Sequence, residues 1–224
     1  MKTATKTPNE SENKTANEKE WDLWNRVLPE IKSIIVVGTT GSGKTALCWK
    51  VLDTAKSILR DREIYVLKHP NQTIVEKRGF KNMYSIEQID SINHAVIYID
   101  EPQTLWKLYD HKANTILGTI LTLARQRDIL LIISTAMTQW VSRVLEGQVD
   151  CWIIKDLDFD GAKQGSRVRN IIQQNSLIDP AFFRLNPDQY LFYCRKFMEY
   201  SGKHKFNKPE YFTDEYSKPY GNQK

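Results

Sequence analysis

Eight consecutive residues follow the pattern G-x-x-x-x-G-K-[ST] in full: Gly38-Thr39-Thr40-Gly41-Ser42-Gly43-Lys44-Thr45. A largely apolar run, Ser33 to Val37, precedes them, and a helical pattern from about Lys44 to Arg60 follows. Glycines let backbone N–H groups turn inward around phosphate oxygens, and the following helix adds the positive end of its dipole. Because the motif stands between a strand and a helix, it predicts a phosphate-binding P-loop.

The residue types in this loop predict ATP and Mg²⁺ as ligands. Lys44 is expected to reach the β- and γ-phosphates, and the Thr45 hydroxyl is expected to bind Mg²⁺. The loop and the first helical turn together form the predicted nucleotide-binding residues. These are Gly38, Thr39, Thr40, Gly41, Ser42, Gly43, Lys44, Thr45 and Ala46.

A second strand pattern, Ala95 to Ile99, ends in the adjacent acids Asp100 and Glu101. Asp100 is predicted to hold Mg²⁺, and Glu101 is predicted to orient and deprotonate the attacking water. An acid directly after the metal-binding carboxylate is typical of hydrolases rather than kinases, whose acceptor is a bound hydroxyl. The two acids therefore favour ATP hydrolysis.

Short apolar runs alternate with helical patterns through most of the chain, which predicts an α/β fold. Further strands are expected at Glu63–Leu67, Met83–Tyr84, Ile129–Ser134 and Cys151–Ile154, and a helix at Thr115–Gln126. Such alternation predicts a mostly parallel sheet with helices on both faces. Ligands of such sheets bind beyond the carboxyl ends of the strands, where the glycine-rich turn and the two acids both fall.

Three segments are expected along the chain: a disordered polar tail at 1–19, a P-loop ATPase core at 20–160, and a basic extension at 161–224 packed on the core. In the extension, Gln189–Phe197 alternates like a strand and Tyr200–Lys203 predicts a hairpin turn.

Composition limits the remaining possibilities. The chain has 224 residues, 41% of them hydrophobic, so it can bury a real core. Its net charge is +5, and residues 161–208 hold nine Lys and Arg against three acids, which suggests a polyanionic partner or a solvated charged face. The sequence has neither an apolar run of ~18–20 residues nor a signal peptide, so a soluble intracellular protein without a membrane span is expected. Its three cysteines are expected to be buried thiols.

The order of these motifs resembles the HerA/FtsK superfamily of DNA-translocating ATPases. It looks in particular like the small genome-packaging ATPases of membrane-containing viruses, including archaeal ones, from about Ser33 to Lys155. The more specific stretch is similar to the superfamily's Arg-bearing helix, which runs into a strand ending in a sensor. That stretch is Leu123-Ala124-Arg125-Gln126-Arg127-Asp128-Ile129-Leu130-Leu131-Ile132-Ile133-Ser134-Thr135. The resemblance implies a P-loop NTPase fold of the RecA/ASCE type.

The resemblance also implies roles for individual residues. Arg125, with Arg127 as second choice, is expected to complete the active site of a neighbouring subunit. Thr135 is expected to be the sensor, while the residues alone leave Ser134 or Thr135 open, each with a polar strand end as the alternative. Ala136 stands where relatives usually carry Gln, and Gln139 lies one helical turn further on.

The function implied by the resemblance is an ATP-driven translocase that packages viral double-stranded DNA as a homo-oligomeric ring, expected to be a hexamer. It would act in the host cytoplasm, in the virion, or in both, with a capsid or virion membrane protein as docking partner. Basic residues of the extension are the candidates for DNA contacts that ignore sequence. They are Lys163, Arg167, Arg169, Arg195, Lys196, Lys203 and Lys205.

Two other functions stay open at this point. One is a virion assembly factor that resembles the zonula-occludens-toxin-like phage proteins, although those relatives usually carry a membrane span after the ATPase part. The other is a small-molecule or nucleotide kinase, against which Asp100 and Glu101 argue. DNA-stimulated ATP hydrolysis would separate the translocase from both.

Overall fold

The computed structural model describes residues 16–102, 111–136, 148–155, 185–213 and 216. Most of the predicted polar tail and the first part of the predicted basic extension lie outside these residues.

A single sheet of eight strands organises the described residues, in the order β3-β2-β4-β5-β1-β6-β7-β8. The strands are β1 Ser33–Val37, β2 Glu63–Leu67, β3 Lys81–Met83, β4 Ala95–Asp100, β5 Leu130–Thr135, β6 Cys151–Ile154, β7 Gln189–Cys194 and β8 Gly202–Lys205. Strands β1 to β6 pair in parallel with one another, whereas β7 is antiparallel to both β6 and β8. The expected parallel core and the C-terminal hairpin are both present.

Helices cover both faces of this sheet. They are α1 Ala16–Val27, α2 Lys44–Ile58, α3 Gln72–Lys77 and α4 His111–Gln126. The first three pack on the face that carries Ile34 and Val36 of β1. The fourth packs on the opposite face, where Ile35 and Val37 point, because successive residues of a strand alternate between faces. This arrangement confirms the predicted α/β class.

Several element boundaries differ from the expectation. Helix α1 begins at Ala16 and so takes in four residues that the sequence assigned to the polar tail. Strand β7 ends at Cys194, and the chain reverses through a 3-10 helix at Arg195–Tyr200 instead of a tight turn at Tyr200–Lys203. The three cysteines are free and buried, as expected.

The position of β5 between β1 and β4 brings the ends of three strands to one level. Val37 pairs with Thr135, and Asp100 pairs with Ser134. The P-loop follows Val37 directly, so it lies at the same edge of the sheet as Asp100. All six residues of β4 and of β5 are buried, which anchors both strands in the core.

A charged cluster lies at the opposite edge, where the parallel strands begin. Asp128, just before β5, accepts hydrogen bonds from Lys32 and from Arg62, and its carboxylate lies 2.6 Å from Nδ1 of His94. Partial burial raises the pKa of Asp128, but the hydrogen bonds from Lys32 and His94 and the charge of Arg62 outweigh it and hold this pKa at about 2. The cluster connects the segment before β1 with the segments before β4 and β5.

Within the described ranges, no helix combines the length and the apolar content that a bilayer-spanning helix requires.

We expect truncation of the central strand to destabilise the whole domain. Ile132 of β5 is fully buried beneath the face that α2 covers, and Ile132→Ala should lower the free energy of unfolding by about 2–5 kcal/mol in urea denaturation. Met198→Ala is the control, since Met198 is 49% exposed and its truncation should change stability by only about 0.5 kcal/mol. Equal losses of stability in the two variants would contradict this assignment of the core.

Candidate nucleotide-binding site

The loop between β1 and α2 has the backbone shape of a phosphate cradle. Gly41 and Gly43 adopt φ values of 82° and 88°, a region that favours glycine. The N–H of Ser42 donates to the carbonyl of Thr39 at 3.2 Å, and the N–H of Leu47 donates to the carbonyl of Gly43 at 3.1 Å. The three N–H groups before Leu47 have no acceptor within the helix, because they belong to its first turn.

A buried hydroxyl in the loop also fits a phosphate ligand. Ser42 Oγ is shielded from solvent, and no hydrogen-bond partner for it exists among the described residues. A buried polar group of this kind is costly unless a ligand or water satisfies it. The first-turn N–H groups and this hydroxyl together form a set of donors suited to phosphate oxygens.

Lys44 connects the loop to the two acids. Its side chain is only 5% exposed, and Nζ donates to the carbonyl of Thr39 at 3.0 Å. The same ammonium group lies 3.5 Å from Oε1 of Glu101. Lys44 and the two acids at the end of β4 therefore lie in one site, although 56 positions separate Lys44 from Asp100 along the chain.

Asp100 lies beneath this site among hydroxyl groups. Its Oδ1 accepts a hydrogen bond from Ser134, and Ser134 Oγ in turn lies 3.2 Å from the hydroxyl of Tyr98. Its Oδ2 lies 3.5 Å from the Thr45 hydroxyl. Burial raises the pKa of Asp100 above its usual value. A carboxylate next to a hydroxyl fits Mg²⁺, which takes few protein ligands and completes its shell with water and phosphate oxygens.

The described residues offer no alternative metal site built from protein side chains alone. Within this part of the chain, no cluster of three or more His, Cys, Asp or Glu side chains is placed to hold a metal ion.

Glu101 is held by the backbone in an uncommon conformation. Its φ is 44°, its N–H donates to the carbonyl of Ser134 at 2.9 Å, and its Oε2 accepts a hydrogen bond from the N–H of Ala136 at 3.0 Å. A non-glycine residue with positive φ is uncommon and is found often at functional sites. The Ala136 backbone therefore orients the carboxylate.

Ser134 and Thr135, which the sequence left as alternatives for the sensor, occupy different environments. The hydroxyl of Ser134 contacts Asp100 and so belongs to the Asp100 side of the site. Thr135 is fully buried and pairs with Val37, the last residue before the P-loop. The sensor role of Thr135 stays a prediction, and Ser134 joins the site as a residue that positions Asp100.

The predicted arginines lie at the other edge of the sheet. Arg125, 45% exposed, hydrogen-bonds the carbonyl of Gln148 and pairs with Asp150 at 3.3 Å. Asp150 in turn accepts hydrogen bonds from the backbone at the start of β1. Arg127 contacts Asn93 at 3.4 Å, also at this edge. Neither arginine approaches Lys44 within the same chain, and the role of Arg125 toward a neighbouring subunit stays a prediction.

The basic candidates for DNA contact fall into two groups. Lys163, Arg167 and Arg169 lie outside the described residues, as does Gln139. The other four are exposed on the C-terminal hairpin, and among them Lys196 pairs with Glu30 at 2.6 Å. Lys203 and Lys205 belong to β8, the edge strand of the sheet.

Sequence reasoning missed one further residue at the site, Lys155. It follows β6 directly, its side chain is 1% exposed, and its end lies against Gly43 of the P-loop. A single lysine after a strand carries no signal in the sequence, because its partners come from the distant hairpin.

Comparison with solved structures finds this fold in two viral packaging ATPases. The DNA-packaging ATPase B204 of Sulfolobus turreted icosahedral virus matches with a TM-score of 0.57 and 16% identity, over 78% of this chain and 97% of its own. The genome packaging NTPase B204 of Sulfolobus turreted icosahedral virus 2, in complex with AMPPCP, matches with a TM-score of 0.60 and 15% identity, over 80% and 99%. The expected resemblance to these ATPases is confirmed in the fold.

Another ATPase shares the fold as well. EssC (ATPases 2 and 3) from Geobacillus thermodenitrificans matches with a TM-score of 0.55 and 10% identity, over 82% of this chain and 41% of that one. No protein-family model matches the sequence, and no curated protein sequence matches it either. At these identities the likeness establishes the RecA/ASCE-type fold.

We expect opposite effects of alanine at two glycines. Gly43→Ala forces a side chain into the left-handed region, which costs about 1–2 kcal/mol. Gly118→Ala is the matched control, since Gly118 lies inside α4 with open space around it and should gain up to about 1 kcal/mol in helix propensity. Urea unfolding of both variants measures the difference. A Gly43→Ala protein as stable as the unmodified one would contradict the described loop.

Proposed function

We propose that this protein is an ATPase motor that translocates double-stranded DNA into a viral capsid as a homo-oligomeric ring, with a hexamer as the expected state. The observation that carries the proposal is the convergence of Lys44, Thr45, Asp100 and Glu101 at one edge of a sheet that matches viral packaging ATPases in fold. The motor would work in the host cytoplasm or the virion, docked to a capsid or virion membrane protein.

The P-loop would bind the phosphates of ATP. Backbone N–H groups from Gly38 to Ala46 would surround the phosphate oxygens, and Lys44 would contact the β- and γ-phosphates. Thr45 and Asp100 would hold Mg²⁺, which neutralises the charge that develops on the phosphate oxygens. The complexes of the B204 proteins with AMPPCP and ATP-gammaS support ATP as the nucleotide.

Glu101 is the proposed general base. It takes the proton of a water molecule as the water oxygen bonds to the γ-phosphorus and the bond from that phosphorus to ADP breaks. In the described state Lys44 lies beside Glu101, and the phosphates of ATP are a stronger partner for this ammonium group. Binding of ATP would therefore draw Lys44 away and leave the carboxylate, still held by the Ala136 N–H, ready to accept the proton.

Arg125 would complete the nucleotide site of the neighbouring subunit. It lies where the parallel strands begin, and the nucleotide site lies where they end. A strand of about five residues separates the two edges by roughly 17 Å, which is beyond the reach of an arginine side chain. A catalytic role for Arg125 thus needs a second copy of the chain, as in a ring.

The basic hairpin is the proposed DNA contact among the described residues. Lys203 and Lys205 alternate with residues of the other face along β8, so both point to one side and are exposed. Lysines on an exposed strand suit phosphate contacts, which position DNA without reading bases.

Replacement of the proposed base should separate binding from turnover. Glu101→Gln keeps the side-chain shape but cannot accept the proton, so the hydrolysis rate should fall by about 10²–10⁴-fold while ATP affinity stays within about threefold. Glu199→Gln, an exposed acid of the hairpin region, should hydrolyse ATP at the unmodified rate. Phosphate release and nucleotide titration measure the two quantities, and retained turnover in Glu101→Gln would remove Glu101 as the base.

The translocase proposal predicts that double-stranded DNA of any sequence stimulates ATP hydrolysis. DNA affinity should fall steeply with salt, and replacing Lys203 and Lys205 with Ala should reduce the slope of log K against log salt by about 0.9 for each DNA phosphate that these lysines neutralise. The oligomer should be measured under the same conditions. A strictly monomeric enzyme with full DNA-stimulated activity would contradict the ring, and salt-insensitive binding would contradict the phosphate contacts.

A further inference from the structure

Lys155 stands at the point where the core sheet meets the P-loop. Its N–H donates to the carbonyl of Val37 at 2.8 Å, so its backbone extends the pairing of β6 with β1 by one residue. Val37 is the last residue before the loop. The backbone of Lys155 therefore supports the first residues of the phosphate cradle from the side.

The side chain of Lys155 is buried between the loop and the hairpin. Nζ donates to the carbonyls of Pro187 at 2.6 Å and Gln189 at 2.8 Å, and it lies 4.5 Å from the centre of the Phe206 ring. A Cβ placed at Gly43 would lie 3.7 Å from Cε and 3.8 Å from Nζ of this lysine. The end of this side chain therefore contacts the residues at the start of β7 and after β8 and lies next to the P-loop.

The burial of Lys155 places an ammonium group close to the P-loop. Removing such a group from water is unfavourable, and the carbonyls of Pro187 and Gln189 and the Phe206 ring are among the partners that offset this cost. Bound phosphates would place full negative charge on the other side of a single glycine. Because the surroundings are shielded from solvent, the attraction between the two is weakened less than at the surface.

We infer that Lys155 is a positioning residue of the nucleotide site, which holds the P-loop against the C-terminal hairpin and adds positive potential behind the phosphates. The inference rests on the proposed function, since it requires that the loop bind a nucleoside polyphosphate. It also gives the hairpin a direct mechanical connection to the loop, through the carbonyls of Pro187 and Gln189.

The test is a series of nucleotide titrations on the full chain, with ATP, ADP and AMP as probes. Lys155→Met keeps the length of the side chain and removes its charge. It should weaken ATP binding by about tenfold, the effect of one charge at roughly 10 Å in an effective dielectric of about 20. The effect should be smaller for ADP and smallest for AMP, because it follows the phosphate charge. Lys155→Arg should restore most of the ATP affinity.

Two controls keep the result interpretable. Lys77→Met makes the same change in net charge at an exposed position of α3 and should bind all three nucleotides as the unmodified protein does. Thermal unfolding without nucleotide shows whether Lys155→Met folds. If it does not, Lys155→Gln takes its place, since an amide can still donate to the two carbonyls.

The outcomes are distinct. Unchanged affinities in the folded variant would overturn the inference. An equal weakening for ATP, ADP and AMP would also overturn it, because a general loss of stability would affect all three nucleotides alike, whatever their phosphate charge. Failure of the unmodified protein to bind any of the three nucleotides would instead overturn the proposed function.

Discussion

Parallel pairing of β5 with β1 on one side and β4 on the other is the constraint on which the site depends. The register sets Ser134 opposite Asp100 and Thr135 opposite Val37. A slip of one residue would turn every side chain of β5 to the other face, and the Ser134 hydroxyl would no longer meet Asp100. The register therefore keeps the acids and the P-loop at a fixed separation.

The same burial removes charged side chains from water, and other groups of the site offset that cost as hydrogen-bond and ion-pair partners. Asp100 is shielded from water and receives a hydrogen bond from Ser134, which itself contacts Tyr98. Lys44 is satisfied by the carbonyl of Thr39 and by Glu101. Buried charges are tolerated only with such partners. The charged groups of the site are therefore already paired with one another, and ligand binding would exchange these partners.

Much of the fold and part of the site follow from the sequence, because their signals are local. The P-loop pattern and the strand that ends in Asp100-Glu101 depend on spacing within a few residues. Ser134 could not be separated from Thr135, because adjacent residues of a strand face opposite sides and only the register shows which one meets Asp100. The position of Lys155 could not be predicted for a similar reason, since its partners Pro187, Gln189 and Phe206 are distant in the sequence.

The arginine prediction has a different limit, because it concerns a contact between chains. If Arg125 completes a neighbour's site, the edge where strands begin in one subunit must face the edge where they end in the next. The two contacting surfaces are then different. A contact between different surfaces can repeat around a ring, whereas a twofold dimer brings the same surface of both subunits together. The hairpin borders the nucleotide edge through Lys155 and the opposite edge through Arg195–Tyr200. Strand β7 therefore runs from the nucleotide edge of the sheet to the opposite edge.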